Sequence, residues 1–190
     1  VRASGLRPTG FQVLRDFEGL PGYLHDYKVD IAKSMLDMCA ALESKVLLVC
    51  SSTSRHASEE PDRLAEDLAK LAMLALPLGI KIAYEGLPWG RTVNEFTTAW
   101  DLGCRADMPN LGLDSFHVFA AGTALDALDD IDGNRIYLVQ LSDFMWHDTP
   151  TFEERITTAR TFRVFPGEGV HTPALIELTR ALERIGFSGD

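Results

Sequence analysis

The sequence lacks a long apolar run and an excess of basic residues. No apolar stretch approaches the roughly 18 residues that a membrane-spanning helix needs, and no signal peptide is visible. The 18 lysines and arginines are outnumbered by 28 aspartates and glutamates, for a formal net charge of −10, whereas nucleic-acid-binding surfaces are normally basic. These shortages predict a cytoplasmic protein that binds neither a membrane nor nucleic acid.

Cysteine is also scarce. The three cysteines, Cys39, Cys50 and Cys104, are an odd number without metal-ligand spacing, which argues against a disulfide framework or a structural zinc site. We therefore predict buried free thiols in a reducing compartment. A chain of 190 residues that is 46% hydrophobic can bury one sizeable core. Because no linker or low-complexity tract interrupts it, residues 1–190 are predicted to form a single domain.

Five short apolar segments each end on a polar residue that can hold a metal or an anion, and amphipathic helical stretches separate most of them. Continuous apolar runs are typical of parallel strands covered by helices on both faces. The carboxyl ends of such strands share one edge, where catalytic residues gather. The pattern predicts an α/β fold with strands at 9–16, 46–50, 80–85, 111–114 and 135–141. It predicts helices at 24–43, at about 61–77, after an Asn94 N-cap, at about 151–160 and after a Thr172 cap, with a helical turn at 123–130.

Three of the predicted strand ends carry the oxygen donors Glu85, Asp114 and Gln140. Oxygen donors with no cysteine thiolate among them suit Mg²⁺ or Mn²⁺ better than a structural zinc ion. Any one of them could be an ordinary solvated residue, but three at one edge favour a metal site. His117, three residues after Asp114, could bind metal, transfer protons near neutral pH or merely pack.

Arginines occupy positions from which they could hold an anion. Arg15 ends the first predicted strand, and Arg160 and Arg163 flank a late loop. The planar guanidinium matches a carboxylate with two hydrogen bonds, although surface arginines are common. Gly167 and Gly169 in the same loop indicate either closure over a ligand or a plain turn.

The tryptophans divide into two groups by position. Trp100 recurs at helical spacing with apolar neighbours and is predicted to pack in the core. Trp89 and Trp146 follow strand ends and are candidates for the wall of a binding pocket.

Five motifs together resemble bacterial 3-dehydroshikimate dehydratases of the xylose isomerase-like sugar phosphate isomerase/epimerase superfamily. The resemblance extends from about residue 9 to residue 186. The arginine-bearing strand and the Phe-Pro-Gly-Glu-Gly loop separate this family from generic sugar isomerases of the superfamily. The motifs are FQVLRDFEG at 11–19, YEGLPWGRTVN at 84–94, LDSFH at 113–117, VQLSD at 139–143 and FRVFPGEG at 162–169.

The resemblance implies a (β/α)8 TIM barrel, of which this chain is an incomplete portion covering about strands 3 to 7 and the following helices. The family has four side-chain metal ligands, and Glu85, Asp114 and Gln140 match three of them. The fourth, a glutamate at the end of the eighth strand, has no counterpart here, and the apolar run before Asp114 is shorter than the usual sixth strand. The sequence begins without methionine and stops just after a predicted helix. We therefore expect a longer native protein.

The activity that the resemblance implies is a hydro-lyase reaction that converts 3-dehydroshikimate to protocatechuate and water. It serves aromatic catabolism, including quinate and shikimate degradation, or a biosynthetic use of protocatechuate. The implied cofactor is a divalent cation, Mg²⁺ or Mn²⁺ with Co²⁺ as a further option, which stabilises an enolate before water is eliminated. Glu85 and His117 would be catalytic, and Arg15, Arg160 and Arg163 would bind the substrate carboxylate.

Two alternatives stay open at this point. The first is a sugar or keto-acid isomerase or epimerase of the same superfamily, which would return the proton instead of expelling water, although a neutral sugar does not need the arginines. The second is a non-catalytic remnant or a subunit whose barrel another chain completes. A DNA-repair endonuclease is disfavoured by the acidic charge and the few histidines. The expected partner is a small-molecule substrate, and the sequence leaves open whether the protein is a homo-oligomer.

Overall fold

Residues 2–189, which a computed structural model describes, contain a five-stranded parallel sheet with helices between successive strands. The strands pair in chain order, which is the connectivity of an arc of a (β/α)8 barrel, and the predicted α/β fold is confirmed. The sheet strands are β1 (Phe11–Arg15), β2 (Val46–Cys50), β3 (Lys81–Glu85), β4 (Leu111–Asp114) and β5 (Ile136–Gln140). A separate antiparallel pair consists of β6 (Asp143–Phe144) and β7 (Arg163–Val164).

Of the six helices in residues 2–189, five are those that the sequence predicted and the fourth is an additional one. They are α1 (Gly22–Leu42), α2 (Pro61–Ala75), α3 (Phe96–Arg105), α4 (Ser115–Ala121), α5 (Phe152–Thr161) and α6 (Thr172–Arg184). Short 3-10 turns lie at Arg2–Ser4, Leu76–Leu78, Leu125–Asp130 and Gly133–Arg135. None of the helices within residues 2–189 is both long and apolar enough to cross a membrane.

The register of the sheet aligns the polar strand ends. Arg15 pairs with Cys50, and Cys50 pairs with Glu85. Farther along the strand order, Asp114 at the end of β4 pairs with Gln140 at the end of β5. The side chains that the sequence placed at strand ends therefore share one edge of the sheet.

Alternating strand residues divide the core between the two faces of the sheet. The larger cluster includes Leu47, Val49 and Tyr84 and packs beneath the helices. The smaller cluster, with Leu48 and Ala83, lies on the concave face. Because side chains two residues apart point to the same face, the residues that end β2 and β3 project to the concave side.

Two predicted helix caps are wrong by one residue. The N-cap of α3 is Glu95 rather than Asn94, because the Glu95 side chain and Thr98 form a reciprocal capping box. The N-cap of α6 is His171 rather than Thr172, so Thr172 is the first residue of that helix. The end of α2 before Pro77 is as predicted, because proline cannot continue the helical hydrogen bonds.

The predicted burial of all three cysteines holds for two of them. Cys39 and Cys50 are buried free thiols, whereas Cys104 is exposed. Helix α3 buries Phe96, Ala99 and Leu102, and Cys104 lies outside that apolar stripe.

Candidate active site

The carboxyl ends of the strands open into a cleft of about 370 Å³. Every side chain that the sequence assigned to catalysis, metal binding or substrate binding lines it. These residues are Arg15, Glu85, Asp114, His117, Gln140, Arg160 and Arg163.

The floor of the cleft holds a compact cluster of possible metal ligands. Glu85, Asp114 and His117 each offer a ligand atom, and these atoms lie within 4.8 Å of one another. The Nε2 atom of His117 is 3.6 Å from Asp114 Oδ2 and 3.8 Å from Glu85 Oε2. All three side chains are buried, and Glu85 Oε1 has no hydrogen-bond partner among residues 2–189. Two buried carboxylates this close require a proton or a cation to balance their charge.

Burial sets the protonation of the cluster. It raises the pKa of Glu85 above its ordinary value, and the negative charge of Asp114 adds to this effect. Burial lowers the pKa of His117 to about 4, although Asp114 opposes the change. The His117 imidazole is therefore neutral near pH 7 and can accept a proton.

Helix α4 starts directly after β4 and so places His117 beside Asp114. Asp114 caps the helix, because its Oδ1 atom accepts a hydrogen bond of 2.9 Å from the Phe116 N–H group. The His117 ring then lies one turn later, edge-on to Trp89 and Phe116 at centroid distances of 5.2 and 5.5 Å. The second carboxylate oxygen of Asp114 accepts a hydrogen bond from Arg163. The sequence did not predict α4, which at seven residues is too short to show a clear helical period.

The three arginines of the cleft differ in exposure and contacts. Arg163 is half-buried, and its Nε atom also donates to the Ala159 carbonyl at 3.0 Å. Arg15 and Arg160 are exposed at the mouth of the cleft. Arg163 therefore neutralises Asp114, while the other two place positive charge where an incoming anion would first meet it.

Sequence reasoning missed Cys50 and Asp16 as cleft residues. The Cys50 thiol donates a hydrogen bond of 3.1 Å to Glu85 Oε2. Asp16 adopts a left-handed backbone conformation, with φ of 52°, and its Oδ1 atom accepts from the Thr53 N–H group at 2.8 Å. The position of Cys50 at a strand end was the signal that could have identified it.

Of the two tryptophans proposed as pocket walls, only Trp89 is one. It lines the cleft, whereas Trp146 lies in a separate groove and donates from Nε1 to Thr158 Oγ1 at 3.2 Å. Trp146 packs edge-on to Phe162, so the helix that follows it holds it away from the cleft. Trp100 is half-buried against the core, as its helical spacing predicted.

Another buried carboxylate, Glu18, supports the loops around the cleft. Glu18 is 2% exposed, and its Oε1 atom accepts hydrogen bonds from the Ser52 N–H group and the Tyr84 hydroxyl. Burial raises the pKa of Glu18 from 4.5 to about 7, and the bonds from Ser52 and Tyr84 only partly offset this. The folded protein therefore binds a proton on Glu18 more tightly than the unfolded chain does.

This difference predicts a pH-dependent stability. Because the folded-state pKa is raised, the stabilising contribution of protonated Glu18 is complete below pH 4.5 and is lost as the pH rises through about 7. Between pH 5 and 8 the free energy of unfolding should fall by roughly 2–3 kcal/mol more in the wild type than in Glu18→Gln. Urea unfolding at several pH values measures this difference. The exposed Glu183→Gln variant is the control, and parallel curves for all three proteins would contradict the assignment.

Comparisons with known proteins identify relatives that match this chain over most of its length. The family model described as "Xylose isomerase-like TIM barrel" matches residues 1–189. The chain is 39% identical over 167 residues to 3-dehydroshikimate dehydratase of Pseudomonas aeruginosa and 36% identical over 168 residues to that of Pseudomonas putida. Each match covers 87% of this chain and 26% of the relative, so the chain spans about a quarter of the length of these relatives. The inosose isomerase of Bacillus velezensis is 34% identical over 201 residues, which cover 98% of this chain and 66% of that protein.

Solved structures extend the same likeness. A xylose isomerase-like TIM barrel/4-hydroxyphenylpyruvate dioxygenase fusion protein superposes with a TM-score of 0.87 at 33% identity, over 95% of this chain and 28% of that one. The IOLI protein with a bound zinc atom superposes with a TM-score of 0.77 at 27% identity, over 96% of this chain and 65% of that one.

Proposed function

Because the chain belongs to the xylose isomerase-like TIM-barrel family, we propose that its protein is a metal-dependent hydro-lyase that converts 3-dehydroshikimate to protocatechuate and water. The observation that carries the proposal is the buried cluster of Glu85, Asp114 and His117 with arginines beside it in one cleft. Similarity to two Pseudomonas dehydratases supports the same reaction. We further propose that residues 1–190 are part of a single barrel domain.

The donor atoms of the cleft fit a divalent cation. Glu85 keeps one buried oxygen without a hydrogen-bond partner among residues 2–189, and Gln140, next to Asp114 in the sheet, offers a neutral oxygen. We infer that Glu85, Asp114 and Gln140 hold the cation, with Mg²⁺ or Mn²⁺ preferred for hard oxygen donors and Co²⁺ as a further option. When bound, it would supply the positive charge that stabilises the oxyanion formed as a neighbouring carbon loses its proton.

His117 is the residue that we propose moves the protons. Its imidazole is neutral at pH 7 because its pKa is about 4, and its Nδ1 atom has no hydrogen-bond partner within residues 2–189. In the reaction, a base removes a proton from the carbon beside the ketone, and the hydroxyl beta to the ketone then leaves as water. His117 would accept the first proton and return one to the departing hydroxyl. A second ring carbon then loses a proton while the ketone oxygen gains one and becomes a phenolic hydroxyl, and the aromaticity of the product drives the reaction forward.

The arginines provide recognition of the substrate carboxylate. Arg15 is exposed at the cleft and free to turn toward a ligand, and Arg163 stands deeper beside Asp114. Arg160 adds a third positive charge at the mouth. A guanidinium fork binds a carboxylate with two parallel hydrogen bonds, and a neutral sugar would offer no such partner to Arg15 and Arg160.

Arg15→Ala should therefore weaken transition-state binding by about 2–5 kcal/mol, the usual cost of removing one partner of a desolvated charge pair. The measurement is kcat/KM for 3-dehydroshikimate and for an analogue that lacks the carboxylate. The analogue should be almost insensitive to the substitution, and the exposed Arg180→Ala on α6 is the control. Equal losses for both substrates would exclude carboxylate recognition by Arg15.

A second candidate is an inosose or sugar isomerase that uses the same cleft. The similarity to inosose isomerase over 98% of the chain favours it. In such an enzyme His117 would return the proton to a neighbouring carbon, and no water would be expelled.

One experiment separates the two candidates. The full-length protein is incubated with Mg²⁺ or Mn²⁺ and either 3-dehydroshikimate or inosose in D₂O. Appearance of the ultraviolet absorbance of protocatechuate supports the dehydratase, and deuterium incorporation into inosose without loss of water supports the isomerase. A metal-loaded protein that turns over neither substrate would contradict both.

A further inference from the structure

The late loop that carries Arg163 folds back onto the residues that follow β5. In the antiparallel pair, Asp143 lies opposite Val164 and Phe144 lies opposite Arg163. Farther along the loop, the Val170 N–H group donates to the Phe144 carbonyl at 3.0 Å. The position of Arg163 in the cleft therefore depends on how residues 163–171 are anchored to residues 143–144.

The anchor is the Asp143 carboxylate, which the proposed reaction does not use. Asp143 is fully buried, and its Oδ1 atom accepts hydrogen bonds from the N–H groups of Phe144 at 2.8 Å and His171 at 3.0 Å. Burial alone would raise the pKa of Asp143, but the N–H groups of His171, Phe144, Gly169 and Gly167 hold it below its ordinary value. Backbone N–H groups that converge in this way form an anion-binding nest.

Gly169 shows how closely the loop approaches this carboxylate. A Cβ atom at Gly169 would lie 2.3 Å from Asp143 Oδ1 and 2.3 Å from the Phe144 carbonyl oxygen. His171, at the end of the loop, stacks on the Phe144 ring at a centroid distance of 3.8 Å. The sequence interpretation of Gly169 as a loop glycine thus has a specific cause, which is that any side chain would push the loop off Asp143.

Of the two neighbours of Asp143, Ser142 contacts the Arg163 side chain directly and Phe144 is linked to it through Phe116. Arg163 Nη1 approaches the Ser142 hydroxyl at 3.4 Å, and its guanidinium lies 4.8 Å above the Phe116 ring. Phe116 in turn packs edge-on against Phe144 at 5.0 Å. The segment around Asp143 is therefore one wall of the pocket that holds the Arg163 side chain.

We propose that Asp143 is a positioning residue that locks residues 163–171 against the end of β5 and so sets the approach of Arg163 to Asp114. The inference rests on the proposed function only where turnover is the readout. Asp143 itself touches neither the cation ligands nor the space that a substrate would occupy.

The test compares Asp143→Asn with Arg163→Ala and the double variant in the full-length protein. Asparagine keeps one acceptor oxygen but carries no charge, and its NH₂ group cannot accept a hydrogen bond. We expect Asp143→Asn to lower kcat/KM for 3-dehydroshikimate by about 10- to 100-fold, as loss of an orienting partner of an active-site ligand does. In the Arg163→Ala background the same change should cost little more. If the fold-losses in kcat/KM of the two single variants multiplied fully in the double variant, the proposal would be overturned. The control is Asp148→Asn, at an exposed aspartate nearby, which should behave as the wild type.

Amide hydrogen exchange supplies a readout that needs no substrate. Asp143→Asn should speed exchange at residues 167–171 relative to the wild type and to Asp148→Asn, and unchanged protection there would refute the anchoring role. Absence of turnover by the wild type would instead contradict only the proposed function. If Asp143→Asn does not fold, Gly169→Ala displaces the loop while keeping the carboxylate. It should give the same loss of kcat/KM and the same non-additivity with Arg163→Ala, and wild-type kinetics for Gly169→Ala would overturn the proposal.

Discussion

Glu85→Gln is expected to abolish metal-dependent turnover while leaving the fold largely intact, and Asp114→Asn should do the same. Either substitution replaces a negative ligand of a hard cation by a neutral amide, and Mg²⁺, which dehydrates reluctantly, would then keep its water shell. The Glu85→Gln variant should fold, because burial raises the pKa of Glu85 and so already favours an uncharged side chain at this position. Asp114→Asn is the more disruptive change, since it also removes the anionic partner of Arg163.

Metal binding and turnover are measured together for these variants. Mn²⁺ affinity is obtained by titration followed by electron paramagnetic resonance, and circular dichroism confirms that the protein is folded. Glu183→Gln, an exposed glutamate on α6, is the matched control. If either cleft variant kept full activity while chelator-treated wild type was inactive, the ligand assignment would be wrong.

His117→Ala is expected to lower kcat by about 10²- to 10⁴-fold, the contribution typical of a positioned general acid or base. Metal affinity should change little, because the proposed ligands are Glu85, Asp114 and Gln140. The loss follows from removing the neutral imidazole that faces both carboxylates of the cluster. Steady-state kinetics at saturating Mn²⁺ and the Mn²⁺ titration measure the two effects separately.

The control for this prediction is His56→Ala, an exposed histidine in the loop after β2. If His117→Ala lost its metal together with its activity, His117 would be a ligand rather than a proton carrier. Wild-type kcat in His117→Ala would exclude both roles.

The strand ends, and the carboxylates Glu85 and Asp114 that two of them carry, could be predicted from sequence because their signal is local. An apolar run of four to six residues indicates where a buried parallel strand ends. Parallel pairing then brings the C-terminal ends of the strands to one edge of the sheet. Glu85 and Asp114 follow from this argument without any contact information. The sequence left the role of His117 open, and the structure places its Nε2 atom 3.6 Å from Asp114 Oδ2 and 3.8 Å from Glu85 Oε2.

The remaining features depend on contacts between distant parts of the chain. The pairing of Arg163 with Asp114 spans 49 residues, and no local pattern distinguishes it from a substrate-binding role. The strands β6 and β7 are two residues each, too short to show a period of two. Cys50 was read as an apolar strand residue because its partner, Glu85, lies on the neighbouring strand 35 residues away.

The hydrogen bonds between the loops after β1 and β2 have a consequence for any attempt to change the substrate specificity of the cleft. Asp16 in the loop after β1 accepts hydrogen bonds from Thr53 in the loop after β2. Glu18 in the first loop accepts one from the Ser52 N–H group in the second. The two loops are therefore coupled, although Glu18 and Ser52 are 34 positions apart in the chain. Grafting the first loop from a relative with another substrate would replace Asp16 and Glu18. The Ser52 and Thr53 N–H groups would then face foreign side chains. A successful exchange of specificity has to transplant both loops as a pair.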